Sequence, residues 1–371
     1  MGAMKKAQHS RTGAKSLPRA RDLGIPFDGL AGRFNAITDV AGVAVGHSTI
    51  IRGEGKLVVG RGPVRTGVTA ILPRGHRDHS PLFAAWFSQN GNGEMTGTTW
   101  IEESGYLSTP VMISNTHSVG VVRDAVVEWQ LRNNAMTQPW SLPVVAETYD
   151  GFLNDINGFH VTRDDAWAAL KAAQSGPVAE GNVGGGTGMI GYGWKGGIGT
   201  ASRKLSRVEG GYTLGILVQL NCGRAHELLI AGVPIGRELT PKSYAVSPES
   251  GSIIIIAATD APLLPHQLKR VARRLTMGLA RTGSVSGNGS GDIFLAFSTA
   301  RTPSERGTSV ASVKMLRDSA IDPIFTAAVH ATEEAIVNAL VAARTMTGIE
   351  DRIVRALPHG SLRAILKKYG R

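Results

Sequence analysis

The sequence predicts an α/β protein in which helices cover a core of stacked β-sheets. Apolar runs rich in β-branched residues recur along the chain between Gly, Pro, Asn or Ser residues, a pattern typical of buried strands. Segments with helical periodicity are interspersed among these runs. Glycine accounts for 47 of 371 residues, which indicates many tight turns and close backbone approaches. With 42% hydrophobic and 19% charged residues, the composition excludes wholesale disorder.

Each element follows from its local pattern. Consecutive apolar residues indicate strands buried on both faces. These predicted strands are 67–72, 110–114, 142–146, 213–220, 252–259 and 293–299. Apolar residues three and four apart predict helices. The predicted helices are 82–88, 119–132, 164–173, 264–280 and 323–344, the last with Asp322 as N-cap and Pro323 at its first position.

The glycine-rich segment 180–210 is predicted to be a long loop. It contains Gly186-x-Gly188-x-x-Gly191, which formally matches a dinucleotide-binding fingerprint. That fingerprint needs a preceding strand and a following helix, and neither is predicted here. A non-enzymatic nucleotide-binding module built on the loop from Gly181 to Met189 is therefore a disfavoured alternative.

The positive charge is concentrated at the two ends of the chain. Of the net charge of +11, residues 1–22 carry +5 and residues 352–371 carry +6, so the residues between them are neutral. A basic groove on the folded body is not indicated, and no nucleic-acid partner is expected. We predict a basic, poorly ordered tail over residues 1–30 and a single domain over 31–371.

Cysteine usage and apolar run lengths indicate the compartment. The single cysteine, Cys222, excludes an intramolecular disulfide framework and is typical of a reducing environment. No wholly apolar run approaches the roughly 18 residues that a membrane span needs, and the first residues lack the apolar region of a secretory signal. We expect a cytoplasmic protein without a membrane partner.

Two histidine or cysteine patterns admit a functional interpretation. His76 and His79 could form a metal pair, but no third ligand follows at a convincing spacing, so a surface loop is the simpler interpretation. Cys222 could be a nucleophile with His226 as its base, yet that spacing is unspecific. We expect neither a metal nor a cofactor.

The junction at Gly251 and Ser252 points to self-cleavage. A loop containing serine and glycine gives way abruptly to a buried apolar strand. Gly251 has no Cβ, so a hydroxyl can approach its carbonyl, and the Ser252 Oγ is adjacent to the same peptide bond. An N→O acyl shift followed by ester hydrolysis would release the Ser252 amine. Ser290 and Asp292 stand two residues apart at another strand entrance, where both side chains can point the same way.

Several segments, taken together and in order, resemble the DmpA-like family of L-aminopeptidase/D-esterases and β-peptidyl aminopeptidases. The resemblance covers roughly residues 32 to 347. It rests on the segments 37–43 (ITDVAGV), 146–151 (AETYDG), 181–189 (GNVGGGTGM), 218–221 (VQLN), 251–252 (GS), 258–264 (ATDAPLL) and 290–294 (SGDIF). It implies a self-cleaving N-terminal-nucleophile hydrolase with a four-layer αββα sandwich of the DOM-fold type.

The resemblance also implies roles for the reaction itself. Ser252 would be the nucleophile and the new amino terminus, with its α-amine, of free pKa near ~8, assisting proton transfer. Ser290 and Asp292 would orient the nucleophile and the amine. Some relatives carry Glu at the position of Asp292, so the shorter arm leaves the local geometry open. Asn221 would donate to the oxyanion, and Tyr149 would be a second polar group near the reacting carbonyl.

Two further residues are implied in substrate binding. Glu147 would bind the free ammonium of the substrate, which explains trimming from the amino end alone. Trp140 could line the pocket, although a core tryptophan is an equal alternative.

We therefore predict a precursor that cleaves after Gly251 into an α-chain, 1–251, and a β-chain, 252–371. The mature enzyme would release N-terminal residues from short peptides, amino-acid amides or esters through an acyl-enzyme on Ser252. The resemblance implies a homotetramer of αβ units. The alternative within the fold is an acyltransferase resembling the ornithine acetyltransferases, which commonly use threonine as the nucleophile.

Overall fold

The computed structural model describes residues 18–241, 251–302 and 309–371. In chain order its strands are β1 (Ala44–Arg52), β2 (Val64–Leu72), β3 (Leu82–Gly91), β4 (Tyr106–Leu107), β5 (Val111–Asn115), β6 (Val144–Thr148), β7 (Ile190–Gly191), β8 (Trp194–Lys195), β9 (Gly197–Lys204), β10 (Thr213–Asn221), β11 (Ser252–Thr259), β12 (Gly291–Ser298), β13 (Met346–Thr347) and β14 (Ile353–Val354). Its α-helices are α1 (Thr98–Ser104), α2 (Val119–Arg132), α3 (Arg163–Ala172), α4 (Ile235–Glu238), α5 (Pro265–Arg281), α6 (Asp322–Val341) and α7 (His359–Lys368).

Two sheets form the centre of the molecule. The smaller sheet has the order β1-β2-β5-β6, and the larger has the order β4-β3-β12-β11-β10-β9. Each sheet contains one parallel pair, β5/β6 in the smaller and β11/β12 in the larger, while the other ladders are antiparallel. The parallel pairs place chain segments that are far apart in sequence side by side at the same strand ends.

The side-chain alternation of β11 explains the layering. Ile253 and Ile255 pack in the core under α5 and α6, whereas Ile254 and Ile256 pack in the core between the two sheets. Helices α2 and α3 cover the outer face of the smaller sheet through a third core. The order helix–sheet–sheet–helix confirms the αββα sandwich that the resemblance implies.

The helix α6 lies within the larger core. It is long and apolar enough to cross a membrane by length and composition, but 83% of its most apolar window is buried inside the protein. A helix that is apolar all round is typical of a buried core helix as well as of a membrane span. The helix begins at Asp322 and ends at Val341, three residues before the predicted end.

Two predicted elements were wrong. Residues 82–88 were predicted as helix but belong to strand β3, Leu82–Gly91, which pairs with β12. A short apolar run has no period that distinguishes a helix from a buried strand, so the sheet partner decides. The glycine-rich segment is also more regular than the predicted loop, because it contains β7, β8 and β9.

The chain ends are more firmly attached than predicted. Residues 1–17 lie outside the described part, but Ala20 and Ile25 are buried, and Arg19 and Arg21 pair with Glu180 and Glu334, each at 2.7 Å. The expectation of a poorly ordered tail therefore does not hold for residues 18–30, because these arginines have buried carboxylate partners. Near the other end, α7 buries Leu362 and Leu366.

Candidate active site

The predicted scissile junction lies where the parallel strands β11 and β12 begin. Ser252 is the first residue of β11 and pairs in register with Gly291, the first residue of β12. The Gly291 N–H donates to both the Ser252 Oγ, at 3.2 Å, and the Gly251 carbonyl oxygen, at 3.3 Å. One backbone donor therefore contacts both the predicted nucleophile and the carbonyl that it would attack. Residues 248–250, just before this junction, lie outside the described part of the chain.

A close backbone approach explains the glycine at position 251. A Cβ built on Gly251 would collide with the Asn221 carbonyl oxygen and lie 2.8 Å from the Cys222 Cα. Strand β10 therefore passes too close for any side chain at this position. Ser252 is itself only 5% exposed, so the hydroxyl lies inside the protein rather than on its surface.

Ser290 and Asp292 lie on either side of Gly291. Both are fully buried, and the Ser290 hydroxyl donates a short hydrogen bond to Asp292 Oδ1. Their spacing of two residues at the start of β12 brings both side chains to one side, as the sequence predicted. The structure thus places a buried hydroxyl–carboxylate pair at the start of the strand next to Ser252.

Asn221 ends strand β10 directly opposite Ser252. Its Oδ1 accepts from the Ile190 N–H at 2.7 Å, and its Nδ2 donates to the Tyr149 carbonyl oxygen at 2.9 Å. These two bonds fix the orientation of the amide. An amide NH₂ carries two donors, so one N–H of Asn221 serves Tyr149 and the other can serve a ligand oxygen.

Glu147 lies on β6 and is 3% exposed. It accepts from the Glu94 N–H at 2.9 Å and takes a short hydrogen bond from the Thr116 hydroxyl. Burial raises the pKa of this carboxyl above its usual range, although these two hydrogen bonds act in the opposite direction. A carboxylate held in this way can bind a cation that replaces its lost water.

A contact through Gly93 relates Glu147 to the junction. A methyl group built on Gly93 would lie 3.1 Å from the Gly291 Cα and 3.2 Å from Glu147 Oε1. The carboxylate and the strand partner of Ser252 therefore border the same small space.

The structure brings Tyr149 to the site but leaves Trp140 on the surface. Tyr149 directly follows β6 and contributes its carbonyl to Asn221, while its side chain is 47% exposed. Trp140 is 59% exposed in the segment between α2 and β6. The alternative of a core tryptophan at position 140 is therefore wrong.

Other sequence motifs have packing roles. The loop from Gly181 to Met189 turns through the buried residues Gly184–Gly186, and a Cβ on Gly186 would lie 2.8 Å from the Gly197 Cα. These glycines fit the protein interior rather than a phosphate. His76 contacts the Ala173 carbonyl oxygen at 2.8 Å, and His79 packs edge-on against Trp129.

The described ranges contain no group of three or more His, Cys, Asp or Glu side chains placed to hold a metal ion. The single cysteine, Cys222, is buried beside Asn221. His226, which the sequence offered as a base for this cysteine, is exposed, and its ring lies 4.0 Å from the carboxylate of Glu227.

The sequence did not predict three groups that lie at or next to the candidate site. They are the Gly291 N–H, the Thr116 hydroxyl and the Lys195 ammonium group. Lys195 is fully buried, and burial lowers the pKa of its ammonium to about 7. A lysine amid glycines in a strongly basic protein gives no sequence signal, because only the fold shows that it is buried.

Comparison with known proteins identifies the class. A model of "Peptidase family S58" matches residues 35–354, which is most of the chain. The chain belongs to this family. It is an aminopeptidase with the N-terminal-nucleophile hydrolase fold, and the fold described above agrees with that assignment.

Individual relatives agree with the family assignment. The chain is 56% identical to a beta-peptidyl aminopeptidase BapA of Sphingosinicella microcystinivorans, over 95% of this chain and 93% of that protein. A solved L-aminopeptidase D-Ala-esterase/amidase from Ochrobactrum anthropi has a TM-score of 0.89 and 51% identity, with 95% of this chain and 99% of that chain covered. A Burkholderia sp. beta-aminopeptidase has a TM-score of 0.87 and 49% identity, with 95% and 99% covered. Aminopeptidase activity is thereby favoured over acyl transfer and over nucleotide binding.

Proposed function

We propose that this aminopeptidase matures by cleaving its own Gly251–Ser252 bond and then uses Ser252 as its nucleophile. The observation that carries the proposal is the Gly291 N–H, which donates to both the Gly251 carbonyl oxygen and the Ser252 Oγ. Self-cleavage requires this carbonyl and this hydroxyl to meet beside a donor that can stabilise negative charge. Residues 1–251 and 252–371 would then remain together as one αββα unit.

Self-cleavage begins with attack of the Ser252 Oγ on the Gly251 carbonyl carbon. The developing oxyanion would receive the Gly291 N–H, which already contacts that oxygen. Collapse breaks the C–N bond and transfers the proton from the hydroxyl to the released amine, leaving an ester between Gly251 and Ser252. Water hydrolyses this ester and restores the hydroxyl beside a free α-amine.

The mature reaction repeats this chemistry on a substrate. The Ser252 α-amine takes the Oγ proton as the hydroxyl attacks the substrate carbonyl, and it returns the proton to the leaving amine or alcohol. The Ser290–Asp292 pair would hold this amine in place, and Asn221 Nδ2 would donate to the oxyanion. An acyl-enzyme on Ser252 forms, and water releases the N-terminal residue.

Glu147 would bind the free ammonium of the substrate. Its carboxylate is buried beside Gly93 and Gly291, so a bound ammonium would lie close to the nucleophile. A charge-assisted hydrogen bond in such a site is strong, and substrates without a free amine would lose it. Since two relatives are β-aminopeptidases, we propose peptides with an N-terminal β-amino acid as the substrate class. Half-exposed Tyr149 and exposed Trp140 would lie at the pocket rim.

The self-cleavage proposal is tested by intact-protein mass spectrometry of freshly purified protein and of the Ser252→Ala variant. We expect two chains in the first sample, the smaller beginning at Ser252, and one uncleaved, inactive chain in the second. Ser284→Ala is the matched control, because Ser284 lies in the same chain outside strands β11 and β12, and it should still cleave. Cleavage after Gly251 in Ser252→Ala would overturn the nucleophile assignment.

The substrate class is tested with matched p-nitroanilides of a β-amino acid and of its L-α-isomer, and with a D-alanine ester. Higher kcat/KM for the β-substrate supports the proposal, whereas preference for either other compound contradicts it. An N-acetylated β-substrate is the control, and it should not be cleaved.

We also propose a homotetramer of αβ units located in the cytoplasm, as the family resemblance implies. Light scattering after size-exclusion chromatography measures the mass of the assembly. Cell fractionation with a compartment marker tests the location. A monomeric mass would contradict the proposed tetramer. Recovery of the protein outside the cytoplasmic fraction would contradict the proposed location.

A further inference from the structure

The buried lysine Lys195 forms hydrogen bonds to the backbone of the glycine-rich segment to which it belongs. Its Nζ donates to the carbonyl oxygens of Met189 at 2.7 Å, Gly196 at 2.9 Å and Gly186 at 3.3 Å. An ammonium has three N–H groups, and these three carbonyls use all of them. An ammonium buried in this way is costly to desolvate, which lowers its pKa to about 7, so the presence of a lysine at this position needs an explanation beyond packing.

The Met189 carbonyl belongs to the peptide group that holds the predicted oxyanion donor. On one side of this peptide, the carbonyl oxygen accepts from Lys195 and from the Gly196 N–H at 2.9 Å. On the other side, the Ile190 N–H donates to Asn221 Oδ1 at 2.7 Å. The peptide plane is therefore fixed at both ends, and so is the direction of the Asn221 amide.

Consecutive hydrogen bonds also polarise one another. A cation bound to a carbonyl oxygen draws electron density through the peptide and makes its N–H a stronger donor. A stronger bond to Asn221 Oδ1 has the same effect on the Asn221 side-chain amide. Its Nδ2 then becomes a better donor to developing negative charge.

We propose that Lys195 is a positioning residue that orients and polarises Asn221 through the Met189–Ile190 peptide. The proposal rests on the proposed role of Asn221 as oxyanion donor. Lys195 does not touch the substrate, so its effect belongs to the transition state rather than to substrate binding. Loss of its charge should lower kcat and leave KM nearly unchanged.

A double-mutant cycle between Lys195→Met and Asn221→Ala tests this coupling. All values of kcat are expressed per mole of chain that begins at Ser252, so incomplete maturation does not distort them. Asn221→Ala should lower kcat by about 10²–10³. Lys195→Met should lower it by roughly 3- to 100-fold, the range of coupled neighbours in one network. The double variant should be no slower than Asn221→Ala.

The matched control is Lys204→Met. Lys204 also donates to a backbone carbonyl, that of Gly211 at 2.6 Å, but on the exposed end of β9. The Lys204→Met substitution should leave kcat unchanged. If Lys195→Met does not fold, Lys195→Gln, which keeps an NH₂ donor without the charge, takes its place in the cycle.

The outcomes separate this proposal from the proposed function. Additive losses, or an unchanged kcat in the Lys195 variant, would overturn the coupling while leaving Asn221 as donor. An unchanged kcat in Asn221→Ala would instead overturn the oxyanion assignment, and the Lys195 proposal would fall with it.

Discussion

The two parallel strand pairs of this fold divide the candidate site between them. The β11/β12 pair presents its amino ends, with Ser252 and the Ser290–Asp292 pair. The β5/β6 pair presents its carboxyl ends. There the Glu147 carboxylate, on β6, faces the hydroxyl of Thr116, the residue that follows β5. In the proposed mechanism, the first pair carries the groups of the bond-breaking chemistry, and the second carries the group that would recognise the substrate amine.

Buried polar contacts join the two halves. Gln219 on β10 donates to the Ser114 carbonyl oxygen at 3.0 Å and to the Thr148 hydroxyl at 2.8 Å. Asn221 reaches the Tyr149 carbonyl from the same strand. Because β10 belongs to the larger sheet and these partners lie on or directly after strands of the smaller sheet, the contacts hold the proposed recognition and reaction groups at a fixed spacing. Substitutions in one half should therefore affect a different kinetic constant from those in the other.

The largest effect is expected in the chemical half. Asp292→Asn should slow both self-cleavage and peptide hydrolysis by about 10²–10³, because a neutral amide no longer stabilises the positive charge on the reacting amine. Time courses of precursor loss and kcat measure the two reactions. Asp292→Glu keeps the charge and is the control that should retain most of both activities. Equal losses in the two variants would mean that Asp292 acts through packing alone.

Substitution in the recognition half should separate the two reactions. Glu147→Gln removes the charge that would bind the substrate ammonium, so kcat/KM should fall roughly 10- to 100-fold, the cost of a charge-assisted hydrogen bond. Self-cleavage involves no substrate ammonium and should continue. The neighbouring carboxylate, Glu94, is exposed, and Glu94→Gln is the matched control, which should change kcat/KM little near neutral pH. Blocked self-cleavage in Glu147→Gln would assign this residue to folding instead.

The smallest effect is a pH dependence of substrate capture. Burial raises the pKa of Glu147, so its carboxylate becomes protonated at a higher pH than an ordinary glutamate. As pH falls through that pKa, kcat/KM should decline while the substrate remains a cation. The nearby Glu94 charge also raises this pKa, so Glu94→Gln should move the decline to lower pH. A decline that does not move would show that another group controls it.

The layered fold and the polar residues at strand entrances were predictable from sequence. Apolar runs such as 252–259 suit a strand that is buried on both faces. The spacing of Ser290 and Asp292 places both side chains on the same face of their strand. The run 82–88 was mispredicted because its length suits either a helix or a strand, and only its pairing with β12 decides.

The unpredicted part of the site depends on tertiary approach. Thr116 reaches Glu147 across a parallel strand pair, and the Gly291 N–H reaches Gly251 across another. Lys195 is buried within a glycine-rich segment that its local pattern predicts to be a loop. None of these contacts has a sequence spacing that could reveal it.

The position of Ser252 has a consequence for the cleaved molecule. The proposed cut falls between β10 and β11, which are paired from Asn221–Ser252 to Leu214–Thr259. β12 in turn pairs with β3, so the two strands that the shorter chain contributes to the larger sheet, β11 and β12, lie between strands of the longer chain. The mature unit would thus be an obligate heterodimer, whose thermal unfolding midpoint rises with protein concentration, whereas that of the uncleaved chain does not.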